Sequence, residues 1–130
     1  MAIKRVLCPE RVRKIPPQFS WVDHRLVRDR HIARCDAHAL ALYLFLVTVA
    51  DALGLSYYAD AALGRNLSMA PERLRQARSD LIGAGLIAYQ RPLYQVLALD
   101  PPLRIETHAL RADEVAEQFE RLRAVLGRAS

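Results

Sequence analysis

Between positions 73 and 79 the chain gathers Arg73, Arg75, Gln76 and Ser79, four side chains whose hydrogen-bonding groups match the edges of nucleic-acid bases. A guanidinium pairs bidentately with guanine O6 and N7, a carboxamide with adenine N6 and N7, and a hydroxyl serves several bases. Glu72 beside them can accept from cytosine N4. Glu72 and Asp80 offset the charge of Arg73 and Arg75, so the stretch has groups for base reading without the excess positive charge that phosphate attraction needs. That excess lies elsewhere. The chain carries a net charge of +5, and nine of its 19 Lys and Arg residues fall within residues 1–34 against three acids. Lys4, Arg5, Arg11, Arg13 and Lys14 form a basic arm suited to the phosphates of a polyanion, continued by Arg25, Arg28, Arg30 and Arg34. A solvated, solubilising face is the plainer explanation of the same charge.

The elements that must position these groups follow from apolar spacing. Leu63 and Leu67 lie one helical turn apart, Met69 fills a bend, and Leu74, Ala77 and Leu81 continue a buried stripe at helical period up to Gly85. Two short helices across a tight turn are predicted, the second running from Pro71, well placed at a first helical position, to Ala84. On that helix Glu72, Gln76, Ser79 and Gly83 fall opposite the stripe, with Arg73 and Arg75 on its flanks. Arg78 falls at the edge of the stripe, where its stem can pack and its guanidinium buttress the structure. Next come predicted strands Leu86–Gln90 and Tyr94–Leu99, joined by Arg91-Pro92-Leu93, so that Arg91 can reach one phosphate from the tip. Tyr89 and Tyr94 are expected to face each other across this hairpin as sheet packing.

The remaining sequence divides around this unit. Residues 1–20 are an arm punctuated by proline, without sustained periodicity. Residues 21–99 form the folded domain: a short helix placing Trp21, Val22, Leu26 and Ile32, a central helix from Ala37 to about Leu53 capped by Asp36, a strand over Leu55–Tyr58, then the helix pair and hairpin. Residues 100–130 are a linker and a C-terminal helix over 109–127, where Val115, Phe119, Leu122 and Leu126 continue an a/d seam from Ala112. Two heptads are too short for a free coiled coil, so the seam is expected to pack on its own domain or to form a homodimer. A dimer would place two reading helices about 34 Å apart, in successive major grooves.

The series L-x3-L-x-M-x4-L-x2-A-x3-L-x3-G-L-I from Leu63 to Ile87, followed by a hairpin, resembles the winged helix-turn-helix superfamily. FSWVDHRLVRD, ALALYLFLVTVAD and GLSYY before it are similar to the N-terminal modules of plasmid or phage replication initiators and to small helix-turn-helix proteins of bacterial mobile elements. The resemblance implies a mainly α fold with a small β-hairpin wing, here with an additional C-terminal helix. It also implies binding to double-stranded DNA through the second helix, as a transcriptional regulator or an accessory factor of a mobile element. The same fold also serves as a protein-interaction module, so recruitment of a replication or recombination protein is the competing expectation.

Other chemistry is poorly supplied. No Gly-rich phosphate loop, nucleophile elbow or H-E-x-x-H stretch occurs, and no enzyme is expected. His24, His31 and His38 recur at seven-residue intervals near Cys35, with Cys8 as a further thiol, but a helix break before Asp36 spoils a shared face, so neither metal nor cofactor is expected. The apolar run Ala39–Ala50 is shorter than the roughly 18 residues a membrane span requires. With no signal-peptide core after MAIKRVLCPE, the expected location is cytoplasmic and nucleoid-associated.

Overall fold

The computed structural model describes residues 3–99 and, beyond them, Glu120, Arg121 and Arg123, which are helical. The chain divides into two units, Met1–Leu99 and Asp100–Ser130. Val115, Phe119, Leu122 and Leu126, the expected dimer seam, lie outside the described residues. The first unit combines helices α1 (Arg25–Arg28), α2 (Ala37–Val49), α3 (Asp60–Leu67) and α4 (Pro71–Gly83) with strands β1 (Leu55–Tyr57), β2 (Ile87–Gln90) and β3 (Leu93–Val96).

Asp36 starts α2 as its spacing predicts: the carboxylate accepts from the Ala39 amide at 2.8 Å, satisfying one of the free N–H groups of the first turn. Ala39, Leu42, Tyr43 and Leu46 then bury one face. The helix stops at Val49, not near Leu53. Asp51 is the reason, since its carboxylate accepts from the amides of both Leu53 and Leu55 at 2.9 Å, offering the backbone a loop in place of another helical turn. Gly54, at φ +85°, completes that loop and leads into β1.

β1 adds a third strand to the expected hairpin. The sheet is antiparallel in the order β1-β3-β2, with Ser56 opposite Tyr94 and Tyr89 opposite Tyr94 across the two ladders. Strand alternation turns Ser56, Ile87 and Tyr94 inward and leaves Tyr57, Ala88, Gln90 and Gln95 outward. Leu42, Leu46, Leu63, Leu74, Leu81, Leu86, Ile87 and Tyr94 are fully buried, so α2, both helices of the pair and the sheet contribute to one core. Each such side chain adds roughly 1.5–3 kcal/mol relative to remaining in water.

Of the short helix and following turn expected within residues 21–34, the helix is α1, which starts only at Arg25 and buries Leu26 alone. Asp23 accepts from the Arg25 amide at 2.9 Å and holds its guanidinium at 2.6 Å, so helical structure begins after Val22 and Trp21 stays in solvent. The Arg25 side-chain hydrogen bond, helped by the backbone one, holds the Asp23 carboxyl at a pKa of about 2. Arg30, at φ +63°, ends this turn, and Ile32–Arg34 forms one turn of 3-10 helix. Residues 3–20 are exposed throughout and contain a single 3-10 turn at Pro9–Arg11. No helix among the described residues is long and apolar enough to cross a membrane.

Candidate nucleic-acid interface

The candidate site is built on the α3–α4 pair. Ser68 closes α3 in the left-handed region at φ +52°, and the Met69 amide donates to the Gly64 carbonyl at 3.0 Å, satisfying a carbonyl of the last turn. A Cβ on Gly64 would lie 3.0 Å from the Met69 carbonyl oxygen, so the bend is tight against a residue without a side chain. Met69 is buried beneath the bend and Pro71 opens α4 at its first position. A left-handed conformation costs an L-residue roughly 1–2 kcal/mol, partly offset for glycine by the greater entropy it loses on folding. Ser68→Gly should therefore raise stability by about 0.5–1 kcal/mol, read as an increase in thermal midpoint. A fall in the midpoint would show that the serine contributes more than its backbone strain costs.

α4 buries Leu74, Ala77, Arg78 and Leu81 and exposes Arg73, Arg75, Gln76 and Ser79. Arg73, Arg75 and Ser79 make no side-chain hydrogen bond or ion pair among the described residues. Gln76 differs: its amide donates to Asp80 Oδ1 at 2.8 Å, one turn further along the helix. That bond orients the carboxamide while leaving its oxygen and second N–H for a partner. Asp80 also places a carboxylate beside the exposed face, so this face of α4 is polar with little net attraction for phosphate.

Arg78 is the buttress beneath that surface. Its Nη1 and Nη2 donate to Asp60 Oδ1 at 3.1 and 2.9 Å, and its guanidinium lies 4.4 Å from the Tyr89 ring centroid and 5.9 Å from that of Tyr94. The same residue thus ties the first turn of α3 to α4 and to the hairpin through an ion pair and ring contacts. Tyr89 and Tyr94 adjoin each other with centroids 4.6 Å apart, as their expected cross-strand pairing requires. Burial pushes the Tyr94 phenol up to about 12, against the lowering effect of Arg78. The cluster is structural, because its cation is already paired and stacked.

Arg91 is exposed at the β2–β3 tip, and Lys4, Arg5, Arg11, Arg13 and Lys14 are exposed along the arm. None forms an ion pair among the described residues. Sequence spacing could not pair Arg78 with Asp60, which lies 18 residues away, whereas the i,i+4 relation of Gln76 to Asp80 was open to reading. The exposure of Phe19 and Trp21 was missed too, since the sequence assigned Trp21 to a helix face. His31, Cys35 and His38 are not assembled for a metal: no cluster of three or more His, Cys, Asp or Glu side chains able to hold an ion occurs among the described residues. Cys35 is half-buried, with its thiol toward the His31 carbonyl at 3.9 Å, and burial raises its pKa.

Comparison of the chain with protein-family models, with curated proteins and with solved structures gives no match.

Proposed function

We propose that the protein is a winged helix-turn-helix binder of double-stranded DNA that reads sequence with α4. The observation that carries this is the division of α4: Leu74, Ala77, Arg78 and Leu81 fix it in the core while Arg73, Arg75, Gln76 and Ser79 stay exposed on the other side. A helix anchored in this way can enter a major groove as a rigid body, with side chains of the right chemistry for base edges. The β2–β3 hairpin takes the part of the wing and brings Arg91 to the backbone. Lys4, Arg5, Arg11, Arg13 and Lys14 provide the sequence-independent phosphate attraction that α4 lacks. Its role is that of a regulator or an accessory factor of a mobile element, acting at the nucleoid, with no catalytic step.

Selection of bound duplexes from a random library by the purified protein tests this directly. An enriched motif is expected, and an inverted repeat within it would indicate two copies on one site. Arg75→Ala combined with Gln76→Ala should change stability by no more than about 0.5 kcal/mol, because both side chains are exposed. The pair should lose roughly 1–3 kcal/mol of discrimination at the base positions they read. If the double variant selects the same motif with the same affinity, α4 is not the reading element; if the wild-type protein enriches no motif at all, the fold serves instead to dock a replication or recombination protein.

A further inference from the structure

Folded chains tend to bury aromatic side chains, because each removes a large apolar area from water. Tyr43 and Tyr94 are buried here, and Phe45, Tyr58 and Tyr89 pack against the core. Three aromatics among the described residues do neither: Tyr57 on the outer face of β1, and Phe19 and Trp21, which stand 66% and 76% exposed as a pair at the root of the basic arm. Ser20, between them, donates to the Thr48 carbonyl at 3.4 Å, which ties this stretch to the last turn of α2. Leu44, one turn earlier on the same helix face, is exposed as well. Two aromatic rings are therefore displayed on the surface beside the end of α2, with Arg11, Arg13 and Lys14 exposed a few residues before them.

The charge selects a polyanion, and the rings select one whose flat faces are accessible. In a duplex the faces of the bases are covered by their stacked neighbours, whereas an unpaired strand can place them on aromatic side chains. At most about 7 Å of backbone separates the Phe19 and Trp21 Cα atoms, equal to two stacking rises of about 3.4 Å, so both rings can reach the same base or adjacent ones. A membrane surface is the other anionic partner with apolar content. Interfacial anchoring commonly uses an amphipathic helix, and Pro9, Pro16 and Pro17 oppose one in this arm.

We infer that Phe19 and Trp21, with Arg11, Arg13 and Lys14, form a stacking and phosphate site for single-stranded nucleic acid. The site shares arm cations with the proposed duplex interface but stands independently of α4. Its ligand is a stretch of unpaired strand held by ring faces and charge, with little preference for sequence.

Trp21 is the only tryptophan, so it reports on its own site. Titrating the full chain with a dT12 oligonucleotide at low salt should quench its fluorescence saturably, while a blunt 12-base-pair duplex should leave it nearly unchanged. Anisotropy of labelled dT12 should show a loss of affinity of about fivefold to a hundredfold for Trp21→Ala and for Phe19→Ala, the range set by stacking on one base. Trp21→Phe, which keeps a stacking ring, should stay within about threefold of wild type. Arg75→Ala with Gln76→Ala should leave dT12 affinity unchanged, so the two interfaces can fail separately. Circular dichroism of the variants checks that the fold persists. The proposal is overturned if dT12 does not quench, if the alanine variants bind it as wild type does, or if the duplex quenches equally. It is overturned too if phosphatidylserine vesicles shift Trp21 emission while dT12 does not, which would make the patch a membrane contact. A shift driven by protein concentration alone, with dT12 silent, would equally overturn it in favour of a second copy.

Discussion

Gly54→Ala is expected to destabilise the protein by roughly 2–4 kcal/mol, a large part of the marginal stability of a small domain. Two costs coincide at this position. The backbone sits at φ +85°, where an L-residue is strained by about 1–3 kcal/mol, and an added Cβ would lie 2.6 Å from the Val96 carbonyl oxygen. That neighbour is backbone, so relief requires moving β3 or giving up the bond in which the Val96 amide donates to the Gly54 carbonyl at 2.8 Å. Gly85 supplies the control. It also has positive φ, at +73°, but a Cβ there meets nothing within 4 Å, so Gly85→Ala should cost only about 1 kcal/mol of backbone strain. Urea unfolding measures both, and the midpoint of Gly54→Ala should fall well below that of Gly85→Ala at similar slope. Equal midpoints would mean that the approach of Gly54 to Val96 relaxes without cost.

Neutralising the arm, with Lys4, Arg5, Arg11, Arg13 and Lys14 all changed to Gln, should have the largest effect on duplex affinity of any surface change. Each cation that meets a phosphate contributes about 0.9 to the slope of log affinity against log salt, so the slope should become shallower by up to about 4.5. A difference of that size corresponds to roughly two to three decades of affinity across a fourfold change in salt concentration. Stability should hardly change, since these side chains are exposed and bear no ion pair among the described residues. The selected sequence should also persist, because phosphate contacts position a protein without reading bases. A salt slope equal to wild type would remove the arm from the duplex interface. A changed motif would mean that some of these cations touch base edges.

Arm and helix variants therefore separate two contributions that one affinity would merge. Loss at all sequences belongs to phosphate attraction, and loss confined to particular base positions belongs to α4. Asp80 bears on both: it orients the Gln76 amide and places a carboxylate beside the exposed face of α4. Asp80→Asn should keep the hydrogen-bonding reach while removing that charge, strengthening attraction to all duplexes at some cost in selectivity.

Periodicity alone was enough to locate α3, α4 and the Tyr89–Tyr94 pairing, because helix and strand faces repeat at fixed intervals and one face of each had to be apolar. Asp36 was legible as a cap for a similar reason, as its bond to Ala39 spans only three residues. The exposure of Arg73, Arg75, Gln76 and Ser79 followed from the position of the buried stripe. Other features depended on competition or distance. The apolar character of the run after Asp36 favoured a longer α2, but the Asp51 carboxylate captured the amides of Leu53 and Leu55 and ended it. Trp21 and Val22 had helical spacing, yet the Asp23–Arg25 pair started α1 beyond them.

By itself the sequence determined what depends on near neighbours: the helix pair, its buried stripe, the outward polar set and the concentration of positive charge in the arm. Only the tertiary structure decided which distant groups meet. It placed Arg78 between Asp60 and Tyr89, set Gly54 against Val96, joined β1 to the hairpin, and left Phe19 and Trp21 in solvent. The physical reason is that hydrogen-bonding and apolar periodicity act over one helical turn or one strand step, whereas packing joins residues whose separation along the chain carries no information about their separation in space.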